Sequence, residues 1–146
     1  MTALFDLTEL TGLAFLQKLI DENRNPAMAE LMGFSLVEVG DGIAVFVGHT
    51  SDKILNPLGA VHGGFAAAVL DSALGCAIQT KLPKGSPYGT LELKVNYIRP
   101  ITADTGFVRA IGRAIHVGRR TGTSDARLET GDGKLLAHGS TTCMIY

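Results

Sequence analysis

Charge of one sign is missing from this 146-residue sequence: 13 lysines and arginines stand against 14 aspartates and glutamates, a formal net charge of −1. No basic run breaks that balance, so neither nucleic acid nor a membrane surface has an electrostatic claim on the chain. Cysteine is nearly absent as well. Cys76 and Cys143 both lie among apolar neighbours, which argues against a disulfide and for two reduced, buried thiols in a cytoplasmic protein. The histidines His49, His62, His116 and His138 have no metal-ligand spacing, and no Gly-x-Ser-x-Gly elbow occurs. Nor is there a basic leader: the first 23 residues carry Asp6 and Glu9 where an export signal needs positive charge. Internal repeats, low-complexity tracts and linkers are lacking too.

What is present is apolar. Hydrophobic residues make up 46% and charged residues 18%, the balance of a compact globule, and the length suits one domain spanning 1–146 with an N-terminal helical segment over 1–32. Helical spacing of Leu10, Leu13, Ala14, Leu16 and Ile20 predicts an amphipathic helix over 8–22. Asn25-Pro26 breaks it, and a short helix over Ala27–Met32 follows. Strands are expected over 34–39 and 43–48, joined at Gly40-Asp41-Gly42, and over 89–98, 107–117, 121–129 and 134–145. Between the second and third strands lies a long apolar stretch. Asp71 near its centre would cost roughly 2.5–3.5 kcal/mol in a bilayer, so it reads as a helix buried in protein. The fold class is α+β, one helix on an antiparallel sheet.

That helix is apolar nearly all round, so it must be covered on most sides, and a second copy of the chain is expected on the side the sheet leaves open. It opens on His62-Gly63-Gly64, where first-turn N–H groups lack intrahelical partners and suit a developing negative charge; the two glycines also serve a sharp entry into the helix. Asp71 has no Lys or Arg at i±3 or i±4. It is either paired across the sheet, with Arg109 or Lys94, or kept as a general base or nucleophile. Nine residues at about 100° each put His62 and Asp71 on opposite sides of the helix, about 13 Å apart along it. If both act on one substrate, they must come from two antiparallel helices of a symmetric dimer.

The run "NPLGAVHGG", Asp71 nine positions after the histidine, and "TLELKVNYIRP" together resemble the hotdog-fold acyl-CoA thioesterases, in the branch of the phenylacetic-acid-pathway and 4-hydroxybenzoyl-CoA types. The resemblance covers residues 33 to 146. It implies a curved antiparallel sheet wrapped round one long central helix, with no cofactor and no metal. It also implies roles: Gly63 N–H polarising the thioester carbonyl, His62 supporting that turn by hydrogen bonding, Asn56 holding substrate or water, and Asp71 acting from the opposite subunit. Thr90 matches a position that orients the attacking water, with Gly64 and Ser72 among the substrate contacts. One 4-hydroxybenzoyl-CoA type has Glu for the Asp and a Thr one turn later; this chain has Asp71 and Gly75 there.

Each of these residues also has a purely structural reading: Asn56 before Pro57 as a turn residue, Thr90 as a strand residue, His62 as an interior histidine. Arg119 and Arg120, at a strand–strand turn, are candidates for the phosphates of coenzyme A, with Arg99 as a second candidate. The acyl side is expected to be apolar, lined by Phe65, Leu70, Leu74 and Tyr97. The activity implied is hydrolysis of a small, medium-chain or aromatic acyl-CoA, in a homodimer or homotetramer. A hydratase or dehydratase of the same fold, or a non-catalytic acyl-CoA sensor, are the alternatives.

Overall fold

The computed structural model of the protein describes Asp6 and residues 8–146. Two helices come first, α1 (Gly12–Asp21) and α2 (Ala27–Met32), then strands β1 (Phe34–Gly40) and β2 (Ile43–His49). The long helix α3 (Gly63–Gln79) separates them from β3 (Tyr88–Tyr97), β4 (Phe107–Val117), β5 (Thr121–Thr130) and β6 (Leu135–Ile145). The element order is the one the alternation of apolar residues predicts. α1, however, starts at residue 12 and not 8. The Asp6 carboxylate accepts both the backbone N–H and the hydroxyl of Thr8, at 2.8 and 2.7 Å, which holds that stretch in a turn. Thr11 then caps α1 by accepting from Ala14 N–H.

All six strands form one antiparallel sheet in the order β1-β2-β4-β5-β6-β3. The β1–β2 connection is the two-residue turn Asp41-Gly42, with Gly42 at φ 75°, the left-handed second position that a type II turn gives to glycine. α3 carries the chain from β2 to the far edge of the sheet, where β3 pairs with β6. β3 is therefore an edge strand. It exposes Leu91 and Tyr97, and its register shifts by one residue between Thr90 and Glu92.

The sheet encloses α3. Phe65, Ala66, Val69, Leu70, Ala73, Leu74, Ala77 and Ile78 are each at most 1% exposed, the centre of a core that Val108, Ala110, Leu128 and Ala137 complete from the strands. Contact is close enough that a Cβ on Gly112 of β4 would lie 2.1 Å from the Ala73 carbonyl oxygen. Ser124 of β5, fully buried, donates its hydroxyl to the Leu74 carbonyl at 2.9 Å. One side of α3 stays uncovered: Ala67, Ala68, Asp71 and Ser72 are half-buried. Among the described residues no helix is long and apolar enough to cross a membrane.

Candidate active site

The loop before α3 is built on Asn56. Its side-chain oxygen accepts from Leu58 N–H at 2.9 Å and Ala60 N–H at 3.2 Å, and its backbone N–H donates to the Ala60 carbonyl. This is an Asx-type turn, so the structural reading of Asn56 holds. The turn also places Asn56 in the wall of a cavity of about 560 Å³, together with His62, Gly63, Gly64, Tyr97 and Arg99.

His62 is the N-cap of α3. Its Nδ1 accepts from Gly64 N–H at 2.8 Å, which fixes the ring in the tautomer with Nδ1 unprotonated. Gly64 N–H is thereby engaged, whereas Gly63 N–H meets no acceptor among the described residues. The open donor of the first turn is that of Gly63, a residue that lines the cavity at the positive end of the helix dipole. Tyr97 of β3 holds this residue from outside: its hydroxyl donates to the Gly63 carbonyl at 2.9 Å. A Cβ at 63 would lie 3.1 Å from the Tyr97 hydroxyl oxygen and 3.2–3.3 Å from its ring, so the tyrosine occupies the space a side chain would need.

Two turns along α3, Asp71 is half-buried and makes no ion pair among the described residues. Arg109, one of its candidate partners, reaches Glu38 at 3.5 Å instead. The partner of Asp71 is Thr90, whose hydroxyl donates to Asp71 Oδ1 at 3.0 Å. Asp71, Thr90 and Ser72 line a second cavity of about 260 Å³, whose other walls are Pro26, Met28, Ala29, Phe34, Phe46, Gly75, Cys76 and Tyr88. Ser72 spends its hydroxyl on the Ala68 carbonyl at 2.9 Å. Burial pushes the Cys76 thiol up to about 12, so it stays protonated at neutral pH and supplies no thiolate nucleophile. Burial likewise raises the Tyr88 phenol and the Cys143 thiol, and both cysteines are free.

The two cavities share no lining residue. His62, Gly63, Gly64 and Asn56 fall in one, Asp71, Ser72 and Thr90 in the other. Arg119 and Arg120 are exposed on the β4–β5 turn and line neither, while Arg99 lines the first and donates to the Leu135 carbonyl at 2.6 Å. The expected acyl lining needs correction: Phe65, Leu70 and Leu74 are sealed in the core and reach neither cavity, because they lie on the sheet side of α3. The apolar wall beside Asp71 is made by α2, β1, β2 and Tyr88. Tyr88 and Met28 carried no signal in the sequence. β3 is brought beside α3 by its pairing with β6, a strand distant in sequence, and α2 is too short to show which face it buries. No group of three or more His, Cys, Asp or Glu among the described residues could hold a metal ion.

Comparison with known proteins agrees with this geometry. The model of the thioesterase superfamily matches residues 58–137. The 1,4-dihydroxy-2-naphthoyl-CoA hydrolase of Listeria monocytogenes is 25% identical over 118 residues, 81% of this chain and 94% of that protein. A conserved protein of Pseudomonas aeruginosa superposes with a TM-score of 0.78 at 35% identity, over 86% of this chain and 98% of that one. A mutant of the phenylacetic acid degradation protein PaaI from Thermus thermophilus gives 0.73 at 31%, over 82% and 98%. The six-stranded antiparallel sheet around α3, the glycine turn at the helix start and these likenesses place the chain in the hotdog-fold thioesterase superfamily, as a thioester hydrolase of the phenylacetic-acid-pathway-like branch.

Proposed function

We propose that the protein hydrolyses an acyl-CoA thioester in a site shared by two copies of the chain. One observation carries the reading: the open N–H of Gly63 and the Asp71–Thr90 pair lie in separate cavities with no common wall. Neither cavity alone brings an electrophile-polarising donor and a base to one carbon. A two-fold axis beside α3 brings the Gly63 cavity of one copy to the Asp71 cavity of the other, twice per dimer. The half-buried stripe Ala67, Ala68, Asp71 and Ser72 and the exposed edge strand β3 are the surfaces left for that contact.

In this reading the thioester carbonyl accepts from Gly63 N–H, and the α3 dipole adds to the stabilisation of the oxyanion. Asp71 takes a proton from water as the oxygen attacks the carbon; Thr90, its own hydrogen given to Asp71, accepts from the same water and orients it. The tetrahedral intermediate collapses, the carbon–sulfur bond breaks, and the thiolate leaves with the proton Asp71 had accepted. His62 holds the Gly63 turn and moves no proton. The larger cavity, with Asn56 and Arg99 in its wall, takes the pantetheine arm, and Arg119 and Arg120 meet the phosphates. The smaller cavity takes the acyl group. Two free thiols suit a cytoplasmic setting.

Thiol release from a panel of acyl-CoAs tests the reaction, and subunit mixing tests the shared site. Gly63→Val and Asp71→Asn are each expected to be inactive. Denatured together in equal amounts and refolded, they should recover about a quarter of wild-type activity, because half the dimers then carry one intact site of two. No recovery would place the whole site within one chain. Acyl-CoA bound by wild type without thiol release would leave a sensor in place of an enzyme.

A further inference from the structure

We propose that Tyr88 is a specificity-determining residue, its ring seated on the bare backbone of Gly75 to close the acyl end of the Asp71 cavity and limit the substrate to short, uncharged acyl groups. The inference rests on the assignment of that cavity to the acyl group.

Tyr88 and Thr90 stand two apart on β3, so their side chains share a face. On α3, Gly75 follows Asp71 by four residues, one turn on the same side. The strand and the helix therefore meet twice in one panel: Thr90 on Asp71, and Tyr88 on Gly75. A Cβ at position 75 would lie 3.2 Å from the Tyr88 ring and 3.4 Å from its hydroxyl oxygen. The place of a helix side chain is thus filled by a ring from the strand. The hydroxyl donates to Gln79 Oε1 at 3.1 Å, one further turn along, which lays the ring across the helix.

Two consequences follow for the substrate. The ring walls the cavity one helix turn beyond Asp71, and in this proposal it limits the length of the acyl chain. Apart from Asp71 itself, no charged side chain among the described residues lines the cavity; the remaining wall is Pro26, Met28, Ala29, Phe34 and Phe46 with Ser72, Cys76 and Thr90. A carboxylate on the acyl tail would lose its hydration there without a cation to meet it, and would face the charge of Asp71.

The test is kcat/KM for acetyl-, butyryl-, hexanoyl-, octanoyl-, decanoyl- and succinyl-CoA with wild type, Tyr88→Ala, Tyr88→Leu and Tyr88→Phe. Wild type should decline steeply beyond one chain length and disfavour succinyl-CoA against butyryl-CoA by about tenfold or more. Tyr88→Ala should raise the ratio of decanoyl to butyryl turnover by about tenfold or more, Tyr88→Leu by less, and Tyr88→Phe should keep the wild-type ratios because the ring stays. Tyr88→Leu also preserves the test if the alanine variant does not fold. Ratios unchanged in both the alanine and leucine variants, in an enzyme whose activity still depends on Asp71, would overturn this inference alone. Wild type inert toward every substrate would instead overturn the thioesterase reading beneath it.

Discussion

Thr90 on edge strand β3 donates its hydroxyl to Asp71 Oδ1 on α3 at 3.0 Å, one residue before the strand slips register against β6. An apolar helix thus presents a carboxylate to a cavity with, among the described residues, one neutral hydrogen-bond partner and no ion pair. In the proposed reaction Asp71 is the base, so Asp71→Asn should lower kcat by two orders of magnitude or more. Thr90→Ala should lower it about tenfold, the loss of one hydrogen bond to a charged group, and Thr90→Ser should restore most of it. Steady-state thiol release decides. Equal effects of the serine and alanine variants would mean that the threonine acts through its shape and not its hydroxyl.

His62 caps α3 through Nδ1 on Gly64 N–H; in the proposed reaction it holds the helix turn and moves no proton. His62→Ala should cost about 1 kcal/mol of stability, and His62→Asn, with a side chain that caps equally well, should recover it. If capping is the whole role, the asparagine variant keeps kcat within about threefold of wild type, whereas a proton-transferring histidine would lose about a hundredfold or more. Denaturant unfolding and kcat on the same three proteins separate the two.

Tyr97 crowds position 63. Its hydroxyl donates to the Gly63 carbonyl, and its ring stands where a Cβ would go. Gly63→Ala should therefore displace the tyrosine or tilt the first turn of α3, and kcat should drop. The same substitution in a Tyr97→Ala background should be less costly, with a coupling of at least about 0.5 kcal/mol in the double-mutant cycle. Additive effects would mean that the alanine methyl obstructs the substrate directly.

Much of this was legible in the chain. Alternating residues such as those of 89–98 marked the strands, and a lone carboxylate in an apolar helix marked Asp71. The capping histidine and the two glycines showed that something happens at the start of α3. The side of the helix that faces the sheet was not legible, because a helix apolar all round has no period; Phe65, Leu70 and Leu74 look as available to a substrate as to a core. Tyr88 and Met28 stayed hidden for another reason. Their position beside Asp71 follows from β3 crossing to the far edge of the sheet and from α2 packing near β1, relations between segments distant in sequence. The one-residue slip after Thr90 has no compositional mark either.

Cys76 gives the fold a dependence on alkaline pH whose sign is fixed. In the unfolded chain its thiol ionises near the ordinary value of 9.0, while burial holds it protonated in the folded state up to about 12. The thiol's contribution is complete below pH 9 and is lost as pH rises toward 12, because only the unfolded chain releases the proton in that window. The slope is roughly 1.4 kcal/mol per pH unit. Tyr88, whose phenol is also raised by burial, adds to the loss at the upper end. Unfolding free energy measured at pH 8, 9 and 10 should fall for wild type and fall less steeply for Cys76→Ala, whatever the alanine costs at pH 8. Parallel slopes would mean that the thiol ionises as freely in the folded protein as in the unfolded chain, and that the wall of the Asp71 cavity is wet on its Cys76 side.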